Sequence, residues 1–373
     1  MKNLLIVANV SKEHIRKFHI PFIQKMKESG WQVDVACRMD VPVPECDHAF
    51  DLPCDRNPFR GGLFRSVRLL RQLIRENGYD VIHCHTITGC IIARIAGAPF
   101  RKKGLKVFYT CHGMHFFRGA SFSRWLFGYP MEKCLAPFTD VLITINEDDE
   151  QMAHKHLSAC GAIERIHGIG VHLSRFTEYH SDTAPAQFRK SLGLAPDDFV
   201  MIYVAEINQN KNQYALLEAF ARIRQTIHSA KLLLVGPDHD NGKLQEMIHQ
   251  RGFAESVLLL GWRSDIPQLL HCADMYVASS KSEGLPLNLI EAMACDLPVV
   301  AFRNRGHCSI IDHGHNGFIV PQGDSNAMAE QVIRLHQDPA LKKQIVAQAQ
   351  KDIRQYDTEH VLNELTSIYN KYL

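Results

Sequence analysis

The chain has 373 residues, 46% of them hydrophobic, enough for the cores of about two domains. Its net charge of +2 hides an asymmetry: residues 1–180 hold 24 Lys and Arg against 18 Asp and Glu, and the remainder holds 18 against 22. The balanced total gives no footprint of a nucleic-acid binder, no apolar run approaches the roughly 18 residues of a membrane span, and 11 cysteines without CxxC spacing fit a reducing cytosol better than a disulfide scaffold.

The first residues, Met1 to Ala8, carry too short an apolar run for a secretion signal and read as a β-strand. Short apolar runs then alternate with helical patterns. In the first half the spacing predicts strands over 4–10, 33–37, 81–84, 107–111 and 141–145. Helices are predicted over 14–29, 63–77, 88–97, 121–136 and 147–158. The chain turns polar and irregular after Val171, which predicts a linker over 172–182. The second half repeats the alternation, with strands over 200–204, 231–235, 257–260, 275–278 and 299–302. Its helices are expected over 211–228, 242–251, 264–271, 286–295 and 324–337. A last helix is expected over 358–372. Such βα alternation implies parallel sheets covered on both faces. The expected architecture is α/β, with two Rossmann-like domains: 1–172, joined by the helix of 357–373, and 183–356. Ligand is expected in a central cleft, since open α/β sheets bind at the carboxyl ends of their strands.

Two loops of the second half carry the chemistry. After the strand that ends at Val204 comes a polar loop, Ala205-Glu206-Ile207-Asn208-Gln209-Asn210, and Lys211 is expected to open the next helix. A lysine there can meet a phosphate as a point charge, although a solvated surface lysine is an equal reading. After the strand that ends at Ala278 comes Ser279-Ser280-Lys281-Ser282-Glu283-Gly284-Leu285-Pro286-Leu287-Asn288-Leu289-Ile290-Glu291. Glu283 falls on the loop. Glu291 falls about a turn and a half into an otherwise apolar helix that would start at Pro286. A helix apolar all round is expected to be buried, and a buried carboxylate needs a partner. A helix start that favours anions, flanked by two carboxylates, suggests a nucleotide-sugar pocket.

The stretch from Glu283 to Glu291 resembles the E-x7-E motif of retaining glycosyltransferases of family 4, which have the two-domain GT-B architecture. The Lys211 loop, Ser279-Ser280 and Gly314-His315-Asn316-Gly317-Phe318 look like that family too. In the first half, Phe18-His19-Ile20-Pro21, the run from Tyr109 through His112 to Phe117, and the run from Asp140 to Asn146 resemble a bacterial branch that makes exopolysaccharide or capsule. The resemblance implies roles. Glu283 would lie by the donor sugar, the backbone N–H groups of Gly284, Leu285, Pro286 and Leu287 (proline lacking one) would line the sugar and diphosphate, and Glu291 would bind the ribose. Lys211, with Asn210 beside it, would hold the diphosphate. Arg263, in the loop Gly261-Trp262-Arg263-Ser264, would touch the base. His112 would reach the transferred sugar from the acceptor side, with Ser11, His14, His19, His85 and His115 as further acceptor-side candidates.

There are two departures from the family pattern. Ala205-Glu206 stands where the family usually has Gly-Arg, so a cation beside Lys211 is replaced by an anion; Glu206 is kept among the donor-binding candidates by position, and either Arg263, a residue of the first domain or another base compensates, or Glu206 points elsewhere. The glycine pair usual after the first strand is replaced by Asn9-Val10-Ser11-Lys12.

The remaining motifs have bland readings beside sharp ones. His83 and His85 flank Cys84 on a strand end, but third and fourth metal ligands are not evident, so a structural or acceptor-side role is favoured and no metal is expected. Asp238-His239-Asp240 spells D-x-D but sits in a turn, where Asp is common anyway. His313 and His315 read as surface residues. Arg65, Arg68, Arg71 and Arg75, with Phe59, Phe64 and the segment 116–127 around Arg118, Arg124 and Phe127, combine arginine with bulky apolar groups, which suits a lipid headgroup boundary. An ordinary amphipathic helix is the competing reading.

Together these readings imply an EC 2.4 transferase that moves a sugar, with retention, from a nucleotide diphosphate (UDP favoured) to a lipid-linked saccharide. It would need no cofactor and would work in the cytoplasm, touching the inner face of the plasma membrane peripherally. The alternatives are a nucleotide-sugar epimerase of the same fold and a sugar-nucleotide-binding partner without activity.

Overall fold

The computed structural model describes residues 1–55, 62–117, 119–178 and 185–373. Phe59, Arg118 and the later part of the 172–182 linker therefore lie outside the described residues. The chain divides into two compact units, Met1–Gly170 with Thr358–Leu373, and Val171–Asp357.

The first unit is built on β1 (Asn3–Val10), β2 (Gln32–Arg38), β3 (His48–Asp51), β4 (Val81–Cys84), β5 (Lys106–Cys111), β6 (Val141–Thr144) and β7 (Ala162–Arg165). They form one sheet in the order β3-β2-β1-β4-β5-β6-β7. Every pair is parallel; Leu4 sits opposite Val33 on one side and Val81 on the other. The central strands are buried on both faces, as continuous apolar runs in a parallel sheet must be. The edge strands β3 and β7 are largely exposed or half-exposed and carry no apolar run, which is why hydrophobic patterning misses them. The helix predicted over 14–29 is instead a π turn at Ser11–Ile15, a short turn at Arg16–Phe18, and a helix at Ile20–Glu28. Pro21 near the start of that helix cannot donate to the preceding turn, so the helix has to begin anew there.

Two buried polar contacts tie this unit together. Arg94, on the helix Ile87–Gly97, donates to Glu132 on the helix Phe122–Leu135 at 2.7 Å, and both side chains are nearly inaccessible. The last helix, Thr358–Tyr372, brings Tyr369 against the central strand β4, where its hydroxyl lies 2.8 Å from His83 Nδ1.

The second unit carries β8 (Phe199–Val204), β9 (Ala230–Val235), β10 (Val257–Gly261), β11 (Met275–Ala278), β12 (Val299–Phe302) and β13 (Phe318–Val320). Its order is β10-β9-β8-β11-β12-β13, again all parallel. Patterning misses the three-residue β13 and the helix Pro339–Asp352, whose exposed face leaves only Ile345 and Ala349 buried. The other predicted helices are present, with ends that agree to within two residues.

In each sheet the strand order reverses direction beside the first strand, between β1 and β4 in one unit and between β8 and β11 in the other. Ligands of open α/β sheets bind at the carboxyl ends of the strands beside such a reversal. No helix among the described residues is long and apolar enough to cross a membrane.

Candidate functional site

The reversal point of the second unit receives two loops, one from β8 and one from β11. The β8 loop is shaped by Asn208. Its side-chain oxygen accepts from the backbone N–H of Asn210 at 3.0 Å and of Lys211 at 2.9 Å, an Asx turn that folds the loop back on itself. The helix then begins at Gln213, with Asn212 before it in the left-handed region at φ 55°, so Lys211 sits in the loop and does not open the helix. The β11 loop is laced to this turn. Lys281 N–H donates to the Asn210 carbonyl at 2.7 Å, Asn210 Nδ2 donates to the Ser282 carbonyl at 3.0 Å, and Ser279 Oγ donates to the Lys211 carbonyl at 2.7 Å.

Across this lacing Lys211 Nζ lies 2.6 Å from Glu283 Oε1, both side chains partly buried. Residues 72 apart in sequence thus form an ion pair at the carboxyl edge of the sheet. From Glu283 the backbone runs through Gly284, Leu285 and buried Pro286 to the helix Leu287–Ala294. Pro286 is the cap, not the first helical residue. The first-turn N–H groups of that helix have no carbonyl partner within it, which favours an anion there. Glu291 is half-buried rather than enclosed. The helix is therefore less submerged than its composition suggests, because Leu287, Asn288 and Glu291 share a face that is only partly covered. Asn288 Nδ2 reaches the Val204 carbonyl at 2.7 Å and fixes that face against the end of β8.

Glu206 belongs to the same β8 loop. Its side chain is exposed, 3.4 Å from Asn208 Nδ2, while its carbonyl accepts from Gln213 Nε2 at 2.8 Å. Arg263 is held by Asp265 through two guanidinium nitrogens, and that carboxylate raises its pKa. The D-x-D run closes its turn: Asp238 accepts from the N–H groups of Asp240 and Gly242, and Asp240 accepts from the Tyr214 hydroxyl. His313 and His315 are exposed.

The loop after β12 adds three residues that patterning misses. Asn304 donates to the Ser280 carbonyl at 2.9 Å and caps the short helix Arg305–Cys308 by accepting from the His307 N–H. Buried His307 places Nδ1 2.6 Å from the Phe302 carbonyl, so that nitrogen carries the proton. Burial lowers its pKa, with Glu283 and Lys211 acting on it in opposite directions. Gly306 packs directly on Glu283. None has a sequence signature, because each acts by contact across loops that are remote in the chain.

In the first unit the reversal point gathers histidines. His14 and His19 come from the turns after β1, His85 follows β4, and His112 follows β5. His14 Nε2 lies 3.0 Å from His19 Nε2, and His85 Nδ1 lies 3.2 Å from His112 Nε2. Burial pushes His14 down to about 3 and His112 to about 4; His19 and His85, buried and surrounded by the other rings, fall well below the ordinary range. All four rings are thus neutral near pH 7. Ser11 does not face this group: its hydroxyl bridges to Asp40 and the Val41 carbonyl. His115 lies beside Gly128 of the next helix. His83 commits Nδ1 to Tyr369 and Nε2 to Thr110 Oγ1 at 2.7 Å, which is the structural role.

Residues 3–146 match the model of glycosyl transferase 4-like proteins, and residues 186–352 that of glycosyl transferases group 1. The whole chain is 38% identical over 372 residues to the glycosyltransferase EpsD of Bacillus subtilis, covering 97% of that protein. The chain is a glycosyltransferase of the family 4 type. This glycosyltransferase is also 28% identical over 293 residues to an Escherichia coli UDP-Gal:alpha-D-GlcNAc-diphosphoundecaprenol alpha-1,3-galactosyltransferase, covering 74% of this chain and 71% of that one. It is 27% identical over 296 residues to CapM, a capsular polysaccharide biosynthesis glycosyltransferase of Staphylococcus aureus, covering 77% and 74%. In fold the enzyme is similar to Anabaena HepE, solved in complex with UDP, at a TM-score of 0.80 and 22% identity over the whole of both chains. The architecture is GT-B, and relatives of the enzyme serve polysaccharide biosynthesis.

Proposed function

We propose that the enzyme transfers a sugar from a UDP-sugar to a hydroxyl of a lipid-linked saccharide, with retention of the donor's anomeric configuration. The Lys211–Glu283 pair at the reversal point of the second sheet, laced to the start of the Leu287–Ala294 helix, carries the reading. A diphosphate at that helix start would meet the dipole and draw on the Lys211 ammonium, and both interactions strengthen as negative charge grows on the leaving group. The departing phosphate oxygen would take the acceptor's proton on the same face. Glu283 then needs only to orient Lys211 and the sugar, and no enzymic nucleophile is required. With dipole and lysine holding the diphosphate, this step requires no metal. Glu291, on the partly covered helix face, is assigned to the ribose hydroxyls. The relatives' names support the choices of UDP and of a lipid-diphosphate acceptor.

A thermal-shift screen of UDP-, GDP- and ADP-sugars tests the donor, since a bound ligand stabilises in proportion to its affinity. UDP-sugars should raise Tm and the others should not. With a polyprenyl-diphosphate saccharide added, UDP should be released and the anomeric coupling in the product should match that of the donor. Epimer formation without acceptor, or donor binding without turnover on any acceptor, would overturn the reading.

Such an acceptor lies in a membrane, and the first unit has a surface suited to one. Phe122, Leu126 and Phe127 are 80%, 52% and 67% exposed around exposed Arg124, and Phe64 is 89% exposed on the helix that presents Arg65, Arg68, Arg71 and Arg75 outward. We assign this surface to peripheral docking on an anionic leaflet. Flotation with anionic vesicles should be salt-sensitive and weakened by replacing Arg68 and Arg71 with Glu. Binding indifferent to both would sink the assignment.

A further inference from the structure

The four imidazoles of the first unit are placed as a metal site would place them. One ring nitrogen from each of His14, His19, His85 and His112 lies within 4.8 Å of all the others. A tetrahedral Zn2+ with Zn–N bonds of about 2.0–2.1 Å needs its nitrogens roughly 3.4 Å apart. The Nε2 atoms of His14 and His19, 3.0 Å apart, lie just inside that spacing, and the other two rings need only draw inward. The rings crowd accordingly, with His19 and His85 centroids 4.0 Å apart.

Hydrogen bonding alone does not account for the cluster. His85 is buried, and among the described residues its Nε2 has no hydrogen-bond partner. A buried polar atom left so is costly unless something else satisfies it. The following residue, Thr86, holds φ at 62°, an uncommon and strained conformation for a β-branched residue. Thr86 Oγ1 accepts from the Asn9 N–H at 3.1 Å, which clamps the β4 end to the β1 end and fixes where the His85 ring projects. A route in exists: a pocket bordered by Phe18, Thr110 and Leu365 reaches His19, His85 and His112.

We propose that His14, His19, His85 and His112 bind one divalent first-row transition ion, with Zn2+ the best fit. Neutral imidazole suits Zn2+, Co2+, Ni2+ and Cu2+, and the absence of carboxylate or carbonyl oxygens from the donor set disfavours Mg2+ and Ca2+. Four protein ligands close the coordination sphere, which is the pattern of a structural ion. Its effect is to pin the Ser11–Ile15 turn to the ends of β4 and β5. Considering His83 and His85 alone does not reveal this group, because the partners of His85 come from two other loops, those after β1 and β5. The second candidate group, His167, His360 and Glu364, is accounted for by the ion pair of His167 with Glu364 at 2.7 Å.

The test uses the full chain, stripped with chelator and titrated with Co2+, then with Zn2+. One Co2+ per chain should bind with the intense visible ligand-field bands of tetrahedral nitrogen coordination. One Zn2+ should displace it and raise Tm by several degrees. His14→Gln and His85→Gln should each abolish the bands and weaken binding at least tenfold, whereas His167→Gln should leave both unchanged. Should His85→Gln fail to fold, His14→Gln, a half-buried loop position, and the spectrum of the unmodified chain still decide the matter. Octahedral or absent bands, or bands that survive His14→Gln or vanish in His167→Gln, would overturn the proposal. The readout is spectroscopic, so its failure is distinct from a failure of the assigned transfer activity.

Discussion

Gly306 is the sharpest probe of Glu283. A Cβ built on Gly306 would sit 2.6 Å from Glu283 Cβ and 2.9 Å from its carbonyl carbon. Non-bonded carbons prefer about 3.5–4.0 Å, so Gly306→Ala requires about 1 Å of relative movement. The Arg305–Cys308 helix is not free to provide it, because Asn304 caps it and is itself bonded to the Ser280 carbonyl. The displacement therefore falls largely on Glu283 and, through the 2.6 Å pair, on Lys211. Overpacking costs about 1–3 kcal/mol, of which the helical preference of Ala over Gly returns roughly 0.5–1. A 1 Å misplacement of a positioning group can cost on the order of 100-fold in rate. The expected outcome is a loss of about 100-fold in kcat for sugar transfer, with Tm lowered by only a few degrees and donor KM nearly unchanged. Normal kcat would refute the view that Glu283 must be held where Gly306 lets it lie.

Other substitutions separate the remaining roles. Glu291→Ala should raise donor KM at near-normal kcat, and Glu283→Ala should lower kcat; equal, small effects in steady-state kinetics would count against both assignments. Arg94→Met leaves buried Glu132 without its 2.7 Å partner and should cost about 3–5 kcal/mol in denaturant unfolding, much of it recovered by adding Glu132→Leu. His307 has its pKa lowered by burial, so the unfolded chain binds the extra proton first as pH falls. Its contribution to stability is complete above the ordinary 6.5 and is lost progressively below it. Tm measured from pH 7 to 5 should fall less steeply in His307→Gln than in the parent; parallel slopes would show that the ring is not held neutral.

Sequence reading was strongest where a residue type and its position on a βα unit coincide. The central strands announce themselves as apolar runs, and Glu283 and Lys211 both fall on loops that leave carboxyl ends of strands. It was weakest where the determining fact is a contact between loops. Lys211 is two residues short of its helix because Asn208 folds the loop, and Glu291 is half-buried because Asn288 turns that face to β8. Glu206, an anion five residues before Lys211, is exposed beside Asn208 while the ammonium goes to Glu283. His14, His19, His85 and His112 all read as acceptor-side candidates, and the order β1-β4-β5 is what brings their rings into contact. The edge strands β3 and β7 left no periodic trace because solvent, not core, lies beside them.

The return of the last helix to the first unit also bears on biosynthesis. A ribosome delivers residues 1–170 first, yet His83 waits for the hydroxyl of Tyr369, nearly three hundred residues later. The unit Val171–Asp357 is contiguous and can mature as it emerges. The unit formed by residues 1–170 is therefore completed only after the contiguous unit that follows it has been made.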